Sequence, residues 1–210
     1  LIIDIDTDEY DCISVEEVNT IHVIVTDEAG NQASCSATVT VLDTIAPVAM
    51  CEDITVYLDE NGSVDVDVSM IDNGSYDNCD IDTMYLSNDV FDCLNTGVNV
   101  TQLIVTDHSM NSAICSAEVT IIDSIPPVVT CRDLTIQLDE NAHYTLTAEL
   151  LSSESYDECG VDTILLSKYE LDCDDIGINT IILTAVDVNG NTSSCASEIT
   201  VYGNIAPNVV

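Results

Sequence analysis

The sequence predicts an all-β protein built from tandem repeats of about 80 residues laid end to end, and three observations carry this. Cysteines return at constant spacing: Cys35, Cys115 and Cys195 lie 80 residues apart, and Cys51, Cys79 and Cys93 map onto Cys131, Cys159 and Cys173 at the same offset. Apolar residues alternate with polar ones, as Val64, Val66 and Val68 do with Asp65 and Asp67, and this is the period of a half-buried strand. No stretch shows a capped helical period, and only Ala148-Glu149-Leu150-Leu151 has the make-up of a helical turn. A fixed period governs the whole fold prediction, so the repeat comes first.

The repeat boundaries divide the chain into 1–46, the back part of one repeat, 47–126, a full repeat, and 127–210, a second full repeat with the start of the next linker. The chain thus reads as a stretch of a longer array. In the first full repeat, Asp53–Leu58 is the expected first strand. Asp59-Glu60-Asn61-Gly62 turns the chain, since Asn-Gly admits positive φ. Ser63–Met70 is the second strand, Asp72–Asp80 a polar loop, and Ile81–Ser87 the third strand. A short strand near Val90–Cys93 leads through Leu94–Gly97 into Val98–Asp107, expected to be central because it is apolar on both faces. His108–Ser112 turns into the last strand, Ala113–Ile122, where Cys115, Ala117, Val119 and Ile121 alternate with Ser116, Glu118 and Thr120. About seven short antiparallel strands per repeat predict an immunoglobulin-like β-sandwich, with an up-and-down barrel as the alternative. The linker Asp43-Thr44-Ile45-Ala46-Pro47 is short and proline-ended, which predicts a semi-rigid joint and domains in line as a stiff rod.

Charge narrows the partners. Acidic residues number 39 and basic residues 2, for a net charge of −37, and the acids are spread over all three repeats. Phosphate recognition needs Lys and Arg, so nucleic acid is excluded as a partner, and an anionic membrane surface is disfavoured for the same reason. The apolar fraction of 46% is that of a folded protein, and no apolar run reaches a membrane span. A chain this acidic repels itself unless cations offset the charge. The ten cysteines, regular and free of any CxxC pair, point to disulfides in an oxidising, extracellular compartment rather than to zinc.

The combined pattern resembles hyalin-repeat (HYR) domains, especially the tandem arrays in large surface and secreted proteins of Bacteroidota. The residues that carry it are Cys51-Glu-Asp-Ile-Thr-Val, Leu58-Asp-Glu-Asn-Gly, Asp72-Asn-Gly-Ser-Tyr-Asp-Asn-Cys79, Phe91-Asp-Cys93, Gly97-Val-Asn99, Ile104-Val-Thr-Asp107 and the Cys115 strand ending at Pro127. Met110 departs from the pattern where a Gly is usual in the turn, and Gly203 where the linker Asp is usual. The resemblance implies an extracellular immunoglobulin-like module used in adhesion or as a spacer. It also implies the pairs Cys51–Cys115 and Cys131–Cys195, which leaves Cys79–Cys93 and Cys159–Cys173. A rival scheme bonds Cys93 to Cys131 and Cys12 to Cys51 across the joints.

The candidate chemistry is cation binding. Calcium takes six to eight oxygens, and carboxylates held by turns supply them. The sandwich topology gathers Asp77, Asn78 and Asp80 of the polar loop, Asp107 and Asn111 of the turn, and the incoming Asp43. The next joint would use Asp123, Asp157, Glu158, Asp187 and Asn191. The competing explanation is a solvated acidic face, which suits Asp65 and Asp67. Asp-(Ser/Thr)-aliphatic sequences at Thr44, Thr83, Ser124 and Thr163 look like O-glycan acceptors of Bacteroidota, although Thr and Ser also suit linkers and strand ends. Asn61, Asn73, Asn99 and Asn191 sit in N-x-Ser/Thr sequons. His22, His108 and His143 fall at non-equivalent repeat positions, and no nucleophile elbow, metalloprotease helix or phosphate loop is present, so no enzyme activity is expected. The expected function is a disulfide- and calcium-stabilised structural repeat at the cell surface, with neighbouring repeats or further copies as partners. The alternatives are an adhesin binding surface glycans or another cell through loops bearing Tyr76 and Tyr156, and the noncatalytic spacer of a secreted enzyme.

Overall fold

The computed structural model describes residues 1–203 except Asp8, Glu16 and Ser153; the start of the next linker, with Pro207, lies outside the described residues. Strands dominate, and the fold is all-β and immunoglobulin-like. Two compact units are present. One comprises residues 1–54, 66–89 and 100–119, the other residues 55–65, 90–99 and 120–210, so each takes part of the middle repeat together with one of its sequence neighbours.

The last repeat shows the design most simply. Its strands are β10 (Leu134–Gln137), β11 (Tyr144–Thr145), β12 (Val161–Leu166), β13 (Glu170–Leu171), β14 (Gly177–Asp187) and β15 (Thr192–Tyr202), with a helical turn α2 at Ala148–Leu151. One sheet runs β10-β15-β14-β12, and β11 pairs with β13 in a second. β10 is parallel to β15, with Leu134 opposite Ile199, while β14 is antiparallel to both β15 and β12. Inward residues Ile136, Leu138, Leu146, Leu151, Leu171, Ile181, Leu183, Ile199 and Val201 form the core between the two layers. Every second residue faces inward, so period two in the sequence becomes a buried stripe.

The other repeats follow the same plan. The middle one has β4 (Ile54–Tyr57), β5 (Ser63–Asp65), β6 (Ile81–Leu86), β7 (Val90–Asp92), β8 (Gly97–Asp107) and β9 (Ser112–Ile122), with α1 at Val68–Ile71 and sheet order β4-β9-β8-β6. The first carries β1 (Ile2–Ile5), β2 (Asn19–Thr26) and β3 (Gln32–Val39) in one antiparallel sheet. Six strands and a helical turn replace the seven strands expected. The second expected strand, Ser63–Met70, ends at Asp65, because Asp67 accepts the Ser69 N–H at 2.8 Å and starts the turn α1. Asp67 is therefore a cap rather than a mid-strand acid. β8 is central, but Val98 and Val100 at its start are 65% and 63% exposed, so it is not buried on both faces throughout.

The repeats differ at several buried places, and Thr101 is one where polar replaces aliphatic. Thr101 in β8 is fully buried; its hydroxyl donates to the Asn88 carbonyl at 2.7 Å, and the Asn88 N–H points back to it at 3.4 Å. The equivalent of Thr101 is Ile181, and at the positions of Asn88 and Asn95 stand Lys168 and Asp175, which form an ion pair. Lys168, and then the Asp172 N–H, hold the Asp175 carboxyl below its ordinary range.

Four disulfides are formed: Cys12–Cys79, Cys51–Cys115, Cys93–Cys159 and Cys131–Cys195. The pairs Cys51–Cys115 and Cys131–Cys195 are those the HYR resemblance implied. The remaining expectations are corrected. Cys79 is bonded to Cys12 and not Cys93, Cys159 to Cys93 and not Cys173, and neither rival bridge, Cys93–Cys131 or Cys12–Cys51, is present. The 3₁₀ turn that begins at Cys93 places its sulfur beside Gly62 and the Glu158-Cys159 segment. The bond therefore spans from one repeat to the next. Cys173, expected in a bridge, and Cys35 carry free, exposed thiols.

Candidate cation sites

Each site begins with a turn. In the turn that follows β8, Asp107 accepts the backbone N–H of Asn111 on one carboxylate oxygen and its side-chain amide on the other, each at 2.8 Å. Asp187 and Asn191 repeat both bonds at 2.8 Å, and Asp27 with Asn31 does the same. These two bonds, both donated by the asparagine, fix the carboxylate where the sheet ends. The asparagine amide then holds the incoming linker: Asn111 donates to the Asp43 carbonyl and Asn191 to the Asp123 carbonyl, each at 3.2 Å. Both asparagines, named above as ligands, serve as straps through their nitrogen.

The linker aspartate is shaped by its own motif. Asp43 accepts the Ile45 N–H and Asp123 the Ile125 N–H, each at 3.0 Å, closing a tight side-chain turn. The polar loop is set by mutual backbone bonds between Val48 and Tyr76, and between Val128 and Tyr156. In that loop Asp77 and Asp157 accept the N–H of Cys79 and Cys159.

Together these devices bring Asp43, Asp77 and Asp107 to one point, with a carboxylate oxygen of each within 4.8 Å of the others. Asp107 is fully buried. Asp43 Oδ2 and Asp77 Oδ1 are buried and have no hydrogen-bond partner. At an effective dielectric near 20, each such pair of charges repels by about 3 kcal/mol, so three pairs approach the whole stability of a domain. A bound cation removes that repulsion. Oxygens around a calcium ion lie about 2.4 Å from it, so any two are at most about 4.8 Å apart, and this donor set fits. Asn78 and Asp80 are exposed; the described acidic cluster does not include Asp80.

The second cluster joins Asp123, Asp157 and Cys159. The Cys159 sulfur is already bonded to Cys93, so the two carboxylates are the donors. Burial first, then the charges of Asp123 and Asp187, push the Asp157 carboxyl above its ordinary range, against the N–H bonds it accepts from Cys159 and Gly160. Asn189 donates to Asp123 Oδ2 at 3.2 Å, an amide that the first cluster lacks because Ser109 holds its place. Glu158 is exposed and lines a neighbouring cavity of about 310 Å³ with Asp59, Glu60, Pro126 and Tyr156.

The other sequence candidates are scattered. Thr44, Thr83 and Ser124 are exposed, while Thr163 is half-buried in β12. The amides of Asn61, Asn99 and Asn191 are occupied by hydrogen bonds. His22 meets Ser36, His108 stands 3.8 Å from Asp82, and the His143 N–H bonds Asp139. Among the described residues, no helix is long and apolar enough to cross a membrane.

No family model and no curated protein matches the chain. Among solved structures, the chain is similar to cadherin domains 1–4 of protocadherin gamma B7, at 12% identity over 94% of this chain and 62% of that one, with a TM-score of 0.38. It is also similar to domains 1–3 of protocadherin gamma C5, at 13% identity over 87% and 76%, with a TM-score of 0.39. Titin domains I67–I69, in an E-to-A variant, match at 13% identity over 88% and 75%, with a TM-score of 0.41. The chain spans less than two thirds of the first three structures it matches. At these scores the fold rests on its own strand order and not on the likeness.

Proposed function

We propose that the chain is a noncatalytic structural segment of an extracellular protein, with repeats 47–126 and 127–210 and the partial repeat 1–46 stapled to one another and their joints tightened by calcium. It would serve as a stiff spacer or filament segment in cell-surface attachment, with neighbouring repeats or further copies as its partners. The observation that carries this is the Asp43, Asp77 and Asp107 cluster, whose two buried, partnerless oxygens ask for a cation. Four disulfides support an oxidising, extracellular setting. O-glycans at the exposed Thr44, Thr83 and Ser124 fit the same setting better than one at the half-buried Thr163; intact mass reads them. Thermal melting at fixed ionic strength tests the cation. Calcium should raise the melting temperature and a chelator lower it, with Asp77→Asn abolishing much of the difference. Equal melting with chelator and calcium, with stabilisation by NaCl alone, would leave a merely salt-adapted surface. A second reading, an adhesin, rests on Tyr76 and Tyr156, which are 58% and 56% exposed beside acidic loops. It requires that Tyr156→Ala lose binding to a glycan-coated surface.

A further inference from the structure

The eight bonded cysteines are interleaved. Cys51 lies inside the loop closed by Cys12–Cys79, Cys93 inside that of Cys51–Cys115, and Cys131 inside that of Cys93–Cys159. Two covalent routes therefore run along the chain without sharing a bridge. One crosses from Cys12 to Cys79, follows about 14 residues to Cys93, and crosses to Cys159. The other crosses from Cys51 to Cys115, follows about 16 residues to Cys131, and crosses to Cys195. Bridges that only closed each sandwich would give the second route alone.

Length shows what this does. Between Cys12 and Cys195 the open backbone extends to about 660 Å. With every bridge in place the shortest path leaves about 42 residues, or about 150 Å, plus three bridges whose Cα–Cα spans are 5.1, 5.1 and 5.9 Å. If both bridges of the first route are lost, about 55 residues remain; if both of the second are lost, about 50 remain. Either route alone holds the chain below about a third of its open length.

We propose that the chain carries tension, and that its two parallel covalent routes keep a pulled chain from unravelling even when one route is cut. The unfolding of an ordinary domain under force is set by its unfolding rate, and each event releases the whole backbone. Here an unfolded repeat releases only the short path between bridges. This goes beyond the structural reading and is independent of calcium, since chelation alters no bridge. Failure here leaves the cation reading standing, and loss of the cation reading leaves this one.

The test holds the wild-type chain by handles at Leu1 and Val210, at a force that unfolds the repeats. The oxidised chain should stretch to about 260 Å, and the fully reduced chain to about 750 Å. Under a dilute phosphine reductant, the first bridge cut should lengthen the chain by no more than about 50 Å, whichever bridge it is. Larger releases should follow only after both routes have lost a bridge. An oxidised chain that reaches the reduced length, or a first step well beyond 50 Å, would overturn the proposal. A non-reducing peptide map of the same sample identifies the bridges independently: Cys12–Cys79 together with Cys93–Cys159 supports it, and Cys79–Cys93 sinks it.

Discussion

Replacing Gly62 by alanine should undo the bridge between Cys93 and Cys159. Gly62 has φ +70°, and a Cβ there would lie 2.8 Å from Cys93 Sγ and 3.3 Å from the Glu158 Cβ. A sulfur fixed in a disulfide has no free rotation with which to retreat. The left-handed backbone itself costs a non-glycine residue about 1–2 kcal/mol. The bridge closes a loop with a sequence separation of 66, and losing it costs about 4 kcal/mol by chain entropy. Ala142 provides the internal control: it occupies the equivalent position at φ +64°, so the backbone shape alone is tolerated. Gly62→Ala should therefore lose about 5 kcal/mol in urea unfolding. Thiol titration of the denatured chain should show the two free cysteines of the wild type, Cys35 and Cys173, joined by Cys93 and Cys159. A variant with no new thiols and a loss under about 2 kcal/mol would refute the steric reasoning, because only the backbone cost would remain.

Met110 is 81% exposed at φ +67°, where its equivalents are Gly30 and Gly190. Met110→Gly should raise stability by about 0.5–1 kcal/mol in chemical denaturation, the relief of strain being partly offset by a looser unfolded chain. The Asp157 carboxyl, held above its unfolded value of 3.8, makes the folded chain bind protons more tightly than the unfolded one. The stability it contributes is present below that unfolded value and lost as pH rises through the raised folded one. Calcium-free Asp157→Asn should therefore show a flatter decline of melting temperature between about pH 4 and 7 than wild type. Calcium, which needs the ionised carboxylates, should stabilise the wild type more at the upper end of that range.

Much of this was legible before any coordinates, and the failures are local. Alternation in Cys115–Ile121 and its counterparts is enough to place β9 and β15, since a strand writes its buried face directly into the sequence. Asp43, Asp77 and Asp107 could be named together because turn and linker acids converge at one end of a sandwich. The helical turn α1 escaped because Val68, Ser69 and Met70 continue a strand-like pattern, and the signal that breaks it is the single cap Asp67. The joint bridges escaped because Cys79–Cys93 and Cys159–Cys173 are only what the pairs implied by the resemblance leave over. The separations of 64, 64, 66 and 67 residues hint at one common span, but only the fold shows that the turn at Cys93 reaches the following repeat. Asn111 and Asn191 are placed at the site by their turn, and the turn alone does not show that their side-chain nitrogens hold the aspartate and the linker carbonyl.

The buried difference at Thr101 bears on how such an array avoids tangling as it is made. Neighbouring repeats of like sequence are prone to exchange equivalent strands while folding. If β14 took the place of β8, Ile181 would stand where Thr101 does, and the Asn88 carbonyl and N–H would lose their hydroxyl partner. Asn88 is exposed, so water replaces part of the loss, and the cost is that of an ordinary hydrogen bond, about 0.5–1.5 kcal/mol. The reverse exchange would press a hydroxyl among Leu166, Leu183 and Ile199. A side chain that is polar in one copy and aliphatic in the next would in this way favour the pairing of each strand within its own repeat.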